Sequence, residues 1–150
     1  CGMGEPIGKY FIDNGYQLTG IDGSSKLIDL AKARFPKGQF MVGDMREVSL
    51  KEKFDLVLAW NSFFHLSKDD QRLMFKIFED NINSGGVLMF TSGPSDGEVW
   101  SDNGGEMLYH ASLNPEEYKK LLAEHHFEII KYALNDEGGG YIWVARCQQK

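Results

Sequence analysis

Apolar residues recur three and four positions apart in three stretches of the first ninety residues, which is the spacing of one helix face. These stretches predict helices at about Pro6–Asn14, Ser24–Phe35 and Ser67–Asn83. Ser24 or Ser25 can cap the second helix, Ser67 can cap the third, and Ser84-Gly85-Gly86 is expected to close the third. The residues expected to face inward from these two helices are Leu27, Leu30, Ala31, Leu73, Met74, Ile77 and Phe78.

Short apolar runs lie between the helical stretches and are typical of strands. They predict strands at Gln17–Asp22, Gln39–Val42, Phe54–Trp60 and Val87–Thr91. Since Phe54–Trp60 is almost continuously apolar, we expect it to be buried on both faces, near the centre of the sheet. The alternation of strands and helices predicts an α/β fold, doubly wound, with helices on both faces of a mostly parallel sheet.

The pattern changes after Thr91. Residues 92–111 are rich in glycine and too long for an idle connection, so we predict a lid or substrate loop there. Asn114-Pro115-Glu116-Glu117 predicts the start of a fourth helix, with a capping side chain, a proline and two acids in the first turn. Phe127–Leu134 and Tyr141–Cys147 then predict an antiparallel hairpin at a sheet edge, with its turn at 135–140.

Composition narrows the class of protein. With 150 residues, of which 42% are hydrophobic, the chain is expected to form one soluble domain over residues 1–150. A net charge of −6 without a basic stripe favours a small-molecule partner over nucleic acid or an anionic membrane. Two cysteines, Cys1 and Cys147, provide neither a disulfide framework nor a metal site, so we expect a reducing, cytoplasmic compartment and no metal. The oligomeric state is not indicated.

The chain opens on a glycine-rich turn, Cys1-Gly2-Met3-Gly4-Glu5-Pro6. Two glycines one residue apart let a backbone fold tightly and approach a ligand closely, which is typical of a turn that cradles a nucleotide. Such a turn normally follows a central strand of a parallel sheet, and none precedes Cys1. We therefore expect the natural protein to extend upstream by at least a strand of Val/Leu/Ile type that ends in an acid and a glycine.

Several of these features occur in the order found in one family. When the strand expected upstream of Cys1 is counted as the first, the glycine turn is followed by an acid at the end of the second strand, in Gly20-Ile21-Asp22-Gly23-Ser24. Gly43-Asp44-Met45 then follows the third strand. The fourth-strand segment runs from Asp55 through Trp60-Asn61 into Phe63-Phe64-His65-Leu66. Together with the closing hairpin, these segments resemble class I S-adenosylmethionine-dependent methyltransferases of the small-molecule type, along the whole chain.

The resemblance implies a set of cofactor contacts. Gly2 and Gly4 would form the middle of the methionine-binding loop, and Asp22, next to Gly23, would hold the ribose hydroxyls. Asp44 would receive the adenine amino group, with Met45 packed on the ring, and the segment at Trp60 would complete the site. Asp22 could instead cap the helix that starts at Ser24, Asp44 could be a turn acid, and Met45 could be part of the core.

The implied reaction is methyl transfer from the sulfonium of S-adenosylmethionine to a small-molecule acceptor by in-line displacement. An ionised acceptor needs no base, whereas an alcohol or carbon acid would need one, and His65 or His110 is the candidate. The acceptor contacts are expected at Asn61, Phe64, Trp100 and Tyr109, with Trp60 and Phe63 as further aromatic candidates for a partly apolar pocket. His65 could equally be a packed, hydrogen-bonded residue.

Two other functions stay open on the sequence. A nicotinamide-dependent oxidoreductase shares the glycine turn and the acid after the second strand, but here the third glycine of its motif is out of place. A non-catalytic cofactor-binding module, or an inactive fragment, would also fit a chain that starts within a motif. His125-His126 resembles a metal pair only superficially, because adjacent helical residues diverge, and His126 is expected in the left-handed conformation at a helix end.

Overall fold

A computed structural model describes residues 1–135 and 139–148 of the chain. The chain divides into two compact units, Cys1–Val48 and Ser49–Lys150. Part of the turn predicted at 135–140, namely residues 136–138, lies outside the described residues. Within the described ranges, no helix is both long and apolar enough to cross a membrane.

The first unit contains two helices and a parallel pair of strands. Their bounds are α1 Ile7–Asp13, β1 Thr19–Asp22, α2 Ser25–Arg34 and β2 Gln39–Val42. The strands pair in parallel from Thr19 opposite Gln39 to Asp22 opposite Val42. A small core of Ile28, Ala31 and Phe40 holds the unit together.

The predicted inward face of α2 is partly wrong. Ile28 and Ala31 are fully buried, whereas Leu30 is 44% exposed. Ile28 and Ala31 are three positions apart and so share a face, while Leu30 is rotated away from Ile28 by about 200° at 100° per residue. The cap prediction is confirmed, because the Ser24 hydroxyl accepts from the backbone N–H of Leu27 at 3.4 Å.

The second unit contains a four-stranded mixed sheet with strand order β3-β4-β8-β7. Its strands are β3 Phe54–Ala59, β4 Ile82–Ser92, β7 Phe127–Asn135 and β8 Gly140–Cys147. β4 pairs in parallel with β3 and antiparallel with β8, and β7 and β8 form the predicted antiparallel hairpin. The prediction that Phe54–Trp60 lies near the sheet centre is wrong for the described sheet, since β3 is an edge strand and β4 is interior.

Two helices cover this sheet, α3 Lys68–Asp80 and α4 Pro115–Glu124. Ser67 and Asn114 cap them as predicted, each accepting from a backbone N–H of the first turn. α3 ends before Ser84-Gly85-Gly86, because the carbonyl of Asn81 already accepts from the strand residue Phe54 at 2.9 Å and β4 starts at Ile82. His126, after α4, has the predicted left-handed backbone, with a φ of 62°.

The core of the second unit is aromatic. The rings of Phe90 and Trp143 stack at 5.7 Å between β4 and β8. α3 contributes Met74, Phe75 and Phe78 to this core, whereas Leu73 is 67% exposed. The expected inward position of Leu73 is therefore wrong: Gln71, Met74, Phe75 and Phe78 form the buried stripe at helical spacing, and Leu73 lies beside it.

Residues 92–111, which were expected to form a loop, contain regular secondary structure. They contain β5 Gly97–Asp102 and most of β6 Met107–Ser112, which pair as an antiparallel hairpin. An ion pair between Lys68 and Asp96, at 2.8 Å, joins the start of α3 to the segment before β5. The sequence did not predict the pairing of β5 with β6, because glycine, serine and asparagine interrupt the alternation of apolar residues that is typical of strands.

Candidate functional site

The opening turn of the first unit is tight and open on one side. Gly2 and Gly4 have φ values of 58° and 84°, in the left-handed region that favours glycine. A Cβ on Gly4 would lie 2.8 Å from the Phe35 ring, whereas the Cβ position of Gly2 has open space around it. Arg34 donates to Glu5 at 2.7 Å and ties the turn to α2. The backbone at Gly2 is thus free for the close approach of a ligand.

Asp22, at the end of β1, is held between two backbone donors. Gly2 N–H donates to Oδ2 at 2.8 Å, and Ser24 N–H donates to Oδ1 at 2.9 Å. Burial raises the pKa of Asp22, but the hydrogen bonds from the backbone N–H groups of Ser24 and Gly2 act against it, and the pKa lies below its usual value. The ionised carboxylate keeps lone pairs for further donors, such as two vicinal hydroxyls. Gly23, next to it, is exposed.

Asp44, after β2, is already engaged by a neighbour. Arg46 donates to Oδ1 at 2.9 Å both from Nε and from its backbone N–H. The Arg46 hydrogen bonds lower the pKa of Asp44 to about 2. The carboxylate also caps the short 3-10 helix Met45–Glu47, so the turn-acid alternative describes what is seen. Any ligand amino group would share Asp44 with Arg46, and Met45 is only half-buried rather than part of the core.

In the second unit, the ends of β3 and β4 are joined through Asn61. Its backbone is left-handed, with a φ of 46°, a conformation that asparagine tolerates better than most residues. Its N–H donates to the hydroxyl of Thr91 at 2.9 Å, and that hydroxyl donates to Asn61 Oδ1 at 3.3 Å. Trp60, one residue earlier, is half-buried. The parallel strands therefore end in a fixed polar corner.

A cavity of about 340 Å³ lies at this corner. The residues that line it are Asn61, Phe64, His65, Thr91, Ser92, Ser101, Asp102, Asn103, Leu108, His110, Asn135 and Gly140. Most of these side chains are polar, and Phe64 and Leu108 are the large apolar ones. Polar and apolar atoms share the surface of this cavity almost equally, and Phe64 is the one expected aromatic residue among those that line it.

His65 lines the cavity, and its tautomer follows from its partner. Nδ1 lies 2.9 Å from the backbone oxygen of Tyr109. A carbonyl oxygen can only accept, so Nδ1 carries the proton in this contact. In the neutral ring the lone pair is therefore on Nε2, which is the arrangement that a general base needs.

His110 reaches the same cavity from β6. Its ring lies 4.7 Å from that of His65 and 5.4 Å from that of Phe64, measured between centroids. Nδ1 of His110 is 3.2 Å from the hydroxyl of Ser101, which can donate or accept, so this contact does not fix its tautomer. The structure thus brings together four predicted residues: Asn61, Phe64, His65 and His110.

Trp100 and Tyr109 lie elsewhere on the hairpin. They are cross-strand partners whose rings are 5.2 Å apart, and Trp100 is 61% exposed. Because side chains alternate along a strand, Tyr109 and the cavity residue His110 point to opposite faces. Phe63 is fully buried in the aromatic core. The acceptor contacts expected of Trp100 and Tyr109 stay predictions, with only the Tyr109 backbone near His65.

Sequence reasoning did not single out Arg46, Thr91 or Ser101. Thr91 is the last residue of a strand that was predicted, so the rule that ligands bind at the carboxyl ends of parallel strands could have found it. Ser101 lies in a hairpin that was predicted as a loop, and no sequence signal pointed to it. The His125-His126 pair is accounted for by Glu79, whose two carboxylate oxygens each lie 2.8 Å from one of the Nδ1 atoms.

Comparison with known proteins supplies independent information. Residues 1–86 match the model of a family described as a methyltransferase domain. No protein of curated function matches the chain in sequence.

Solved structures resemble the whole chain. A methyltransferase from Methanosarcina mazei, described as dependent on S-adenosylmethionine, aligns with a TM-score of 0.84 and 19% identity, over 100% of this chain and 90% of that chain. The glycopeptide N-methyltransferase MtfA, complexed with S-adenosyl-L-homocysteine, aligns with a TM-score of 0.78 and 16% identity, over 97% of this chain and 79% of that chain. CalS10, an amino pentose methyltransferase from Micromonospora echinaspora, aligns with a TM-score of 0.76 and 17% identity, over 97% of this chain and 80% of that chain. At these identities the likeness shows a shared α/β fold of the Rossmann-like type.

Proposed function

Since the chain belongs to the methyltransferase domain family, whose methyl donor is S-adenosylmethionine, we propose that it methylates a small polar acceptor that carries a hydroxyl or amino group. Membership of this family argues against the alternative of a nicotinamide-dependent oxidoreductase.

The first unit is the proposed cofactor-binding part, and its geometry fits that task. The open backbone at Gly2 has room for a methionine-like moiety, and the ionised Asp22 has lone pairs left for ribose hydroxyls. Gly4, Gly23, Asp44 and Met45 are further proposed contacts within this unit, while the cofactor contact expected at Trp60, in the second unit, stays a prediction. When bound, S-adenosylmethionine supplies a methyl group activated by its sulfonium.

The observation that carries the proposed chemistry is the hydrogen bond from His65 Nδ1 to the Tyr109 carbonyl. It leaves a lone pair on Nε2, so His65 can take the proton that a hydroxyl or ammonium acceptor must lose. His110 is a neighbour of His65 within the cavity, and its tautomer is free to respond to the acceptor. The proposed base is therefore His65, and His110 is a proposed contact of the acceptor.

The cavity supports a polar acceptor. Asn61, Asn103, Asn135 and Ser101 line it, so an acceptor with hydroxyl or amino groups would find hydrogen-bonding partners there. Two of the similar structures are described as acting on an amino pentose and a glycopeptide, which carry such polar groups. Because the hairpin β5–β6 supplies Ser101 and His110, it is the proposed substrate-binding element within residues 92–111.

The kind of partner and the cellular compartment are also part of the proposal. The net charge of −6 favours a small molecule over nucleic acid as the partner. Both Cys1 and Cys147 are free thiols, which fits a reducing, cytoplasmic compartment.

The test uses S-adenosylmethionine with a radiolabelled methyl group and a panel of amino sugars, amino acids and small polyols. We expect label in at least one compound of this panel and none in a comparison set of apolar phenols. Cofactor binding measured by calorimetry, with no transfer to any compound in the panel, would instead support the non-catalytic binding module.

A further inference from the structure

Gln71 is a buried polar residue of α3 that does not line the cavity but is bonded to both of the segments that carry its histidines. It is 0% exposed. Its Nε2 donates to the carbonyl of Leu66 at 3.0 Å and to the carbonyl of Ala111 at 2.9 Å. Leu66 directly follows His65, and Ala111 directly follows His110. One amide group therefore joins two chain segments that are far apart in sequence.

The orientation of the Gln71 amide is fixed by a third contact. The hydroxyl of Tyr118, on α4, donates to Gln71 Oε1 at 2.6 Å and accepts from the backbone N–H of Leu113 at 3.0 Å. Both N–H donors of the amide and its oxygen are thus used. A methionine has nearly the same length but can make none of these three hydrogen bonds. Glutamine at this position is explained by the bonds and not by packing alone.

The consequence reaches the ring of His65. The carbonyl that fixes its tautomer belongs to Tyr109, two residues before the Ala111 carbonyl that Gln71 holds. If the Ala111 segment moves away from Leu66, the distance between Nδ1 of His65 and the Tyr109 oxygen changes with it. Polar partners buried from water make such a bridge rigid, since a broken bond leaves groups unpaired.

We infer that Gln71 is a positioning residue for methyl transfer: it clamps the segments of His65 and His110 so that His65 stays in the tautomer with Nε2 unprotonated. This inference rests on the proposed role of His65 as base, although the clamp itself can be measured without any methyl acceptor.

The first measurement is the ¹⁵N NMR spectrum of the histidine rings in the wild type, in Gln71→Met and in Gln17→Met. Gln17 is exposed in the first unit and is the matched control. We expect one Nδ1–H tautomer for His65 in the wild type and in the control, and a mixture of two tautomers in Gln71→Met. A folded Gln71→Met protein with an unchanged His65 tautomer would overturn the inference.

Tyr118→Phe is the second variant, and it keeps the test decisive if Gln71→Met fails to fold. It removes the partner of Gln71 Oε1 while retaining the ring, so a smaller tautomer change in the same direction is expected. An unchanged His65 spectrum in Tyr118→Phe would then count against the clamp.

The second measurement is methyl transfer to the acceptor found with the panel. We expect Gln71→Met to lower kcat by about 10- to 100-fold, as for a misplaced reacting group, with the KM for S-adenosylmethionine within about twofold. An unchanged kcat together with a changed tautomer would show that His65 is not the base. No transfer by the wild type would contradict the proposed function, while the tautomer measurement would still decide the role of Gln71.

Discussion

The residue proposed to bind the cofactor in the first unit and the proposed base in the second unit are held in place in different ways. In the first unit, Asp22 is held by backbone N–H groups of Gly2 and Ser24, and the structure needs only a turn and the end of one strand. In the second unit, His65 depends on a carbonyl 44 residues away, and Gln71 depends on Tyr118, 47 residues away. The backbone contacts of Asp22 thus span 2 and 20 residues, whereas the contacts of His65 and Gln71 span 44 and 47 residues.

This difference predicts different consequences of mutation. A change at Asp22 removes a charged acceptor near the surface, so cofactor binding should weaken while the fold survives. A change in the His65 region alters a ring tautomer or leaves buried groups unpaired, so the chemical step or the stability should suffer.

His65→Asn should give the largest loss. The Asn side-chain nitrogen takes a position close to that of Nδ1 and can still donate to the Tyr109 carbonyl, but Nε2 is gone. We expect kcat to fall by about 10²- to 10⁴-fold, the usual contribution of a general base, with cofactor affinity retained. The measurement is the transfer rate of labelled methyl at saturating cofactor and acceptor.

The matched control for this variant is His126→Asn. His126 is in the same unit but does not line the cavity, and asparagine tolerates its φ of 62°. If both variants lose the same activity, the loss reflects general damage, and His65 has no special role.

Asp22→Ala should have the next largest effect. Hydrogen bonds to charged groups contribute about 1.5–3 kcal/mol, so the Kd for S-adenosylmethionine should rise by roughly 10- to 150-fold. Asp29→Ala, at an exposed position of α2, is the control and should leave the Kd unchanged. Isothermal titration calorimetry measures both, and equal affinity of Asp22→Ala and wild type would remove Asp22 from the cofactor site.

Tyr118→Phe should lower stability by a smaller amount. Removing its hydroxyl leaves Gln71 Oε1 and the Leu113 N–H without this partner in a buried environment, which costs about 1–3 kcal/mol of unfolding free energy. Tyr10→Phe, at a position that is 62% exposed, should be neutral. Urea unfolding of the two variants gives the comparison, and equal midpoints would mean that the buried network adds nothing to stability.

The smallest effect concerns the titration of Asp44. Its pKa is lowered from 3.8 to about 2 by Arg46, so the pair stabilises the folded state above pH 3.8 and loses that effect as the pH falls towards 2. Arg46→Met should raise the pKa part of the way back towards 3.8, because the backbone N–H of residue 46 still donates to Asp44, whereas Arg34→Met should not change it. A ¹³C titration of the Asp44 carboxyl measures this, and a midpoint near 3.9 in the wild type would contradict the structure.

Sequence reasoning was most accurate where contacts are local. The capping roles of Ser24, Ser67 and Asn114 and the left-handed His126 follow from residue type and immediate neighbours, and all four are confirmed. The family could also be inferred, since the glycine turn and Asp22 stand at fixed spacing in one short stretch.

The cavity could be predicted only in part. Asn61, Phe64 and His65 lie directly after a recognisable strand, and His110 was named as an alternative base. The hairpin β5–β6 was not predicted, because its pairing depends on cross-strand contacts that leave no clear alternation in the sequence. Nothing local indicated that Gln71 would bind the segments of both histidines.

The most direct test of the separate roles of Asp22 and His65 compares how two variants respond to cofactor concentration. Methyl transfer by the wild type, Asp22→Ala and His65→Asn is measured while S-adenosylmethionine is raised from below to far above its Kd. We predict that Asp22→Ala regains most of the wild-type rate at saturation, because its defect is in binding, and that His65→Asn does not, because its defect is in the chemical step. If both variants reach the same low plateau, or if both recover the wild-type rate, the separate roles of Asp22 in binding and His65 in the chemical step would be contradicted.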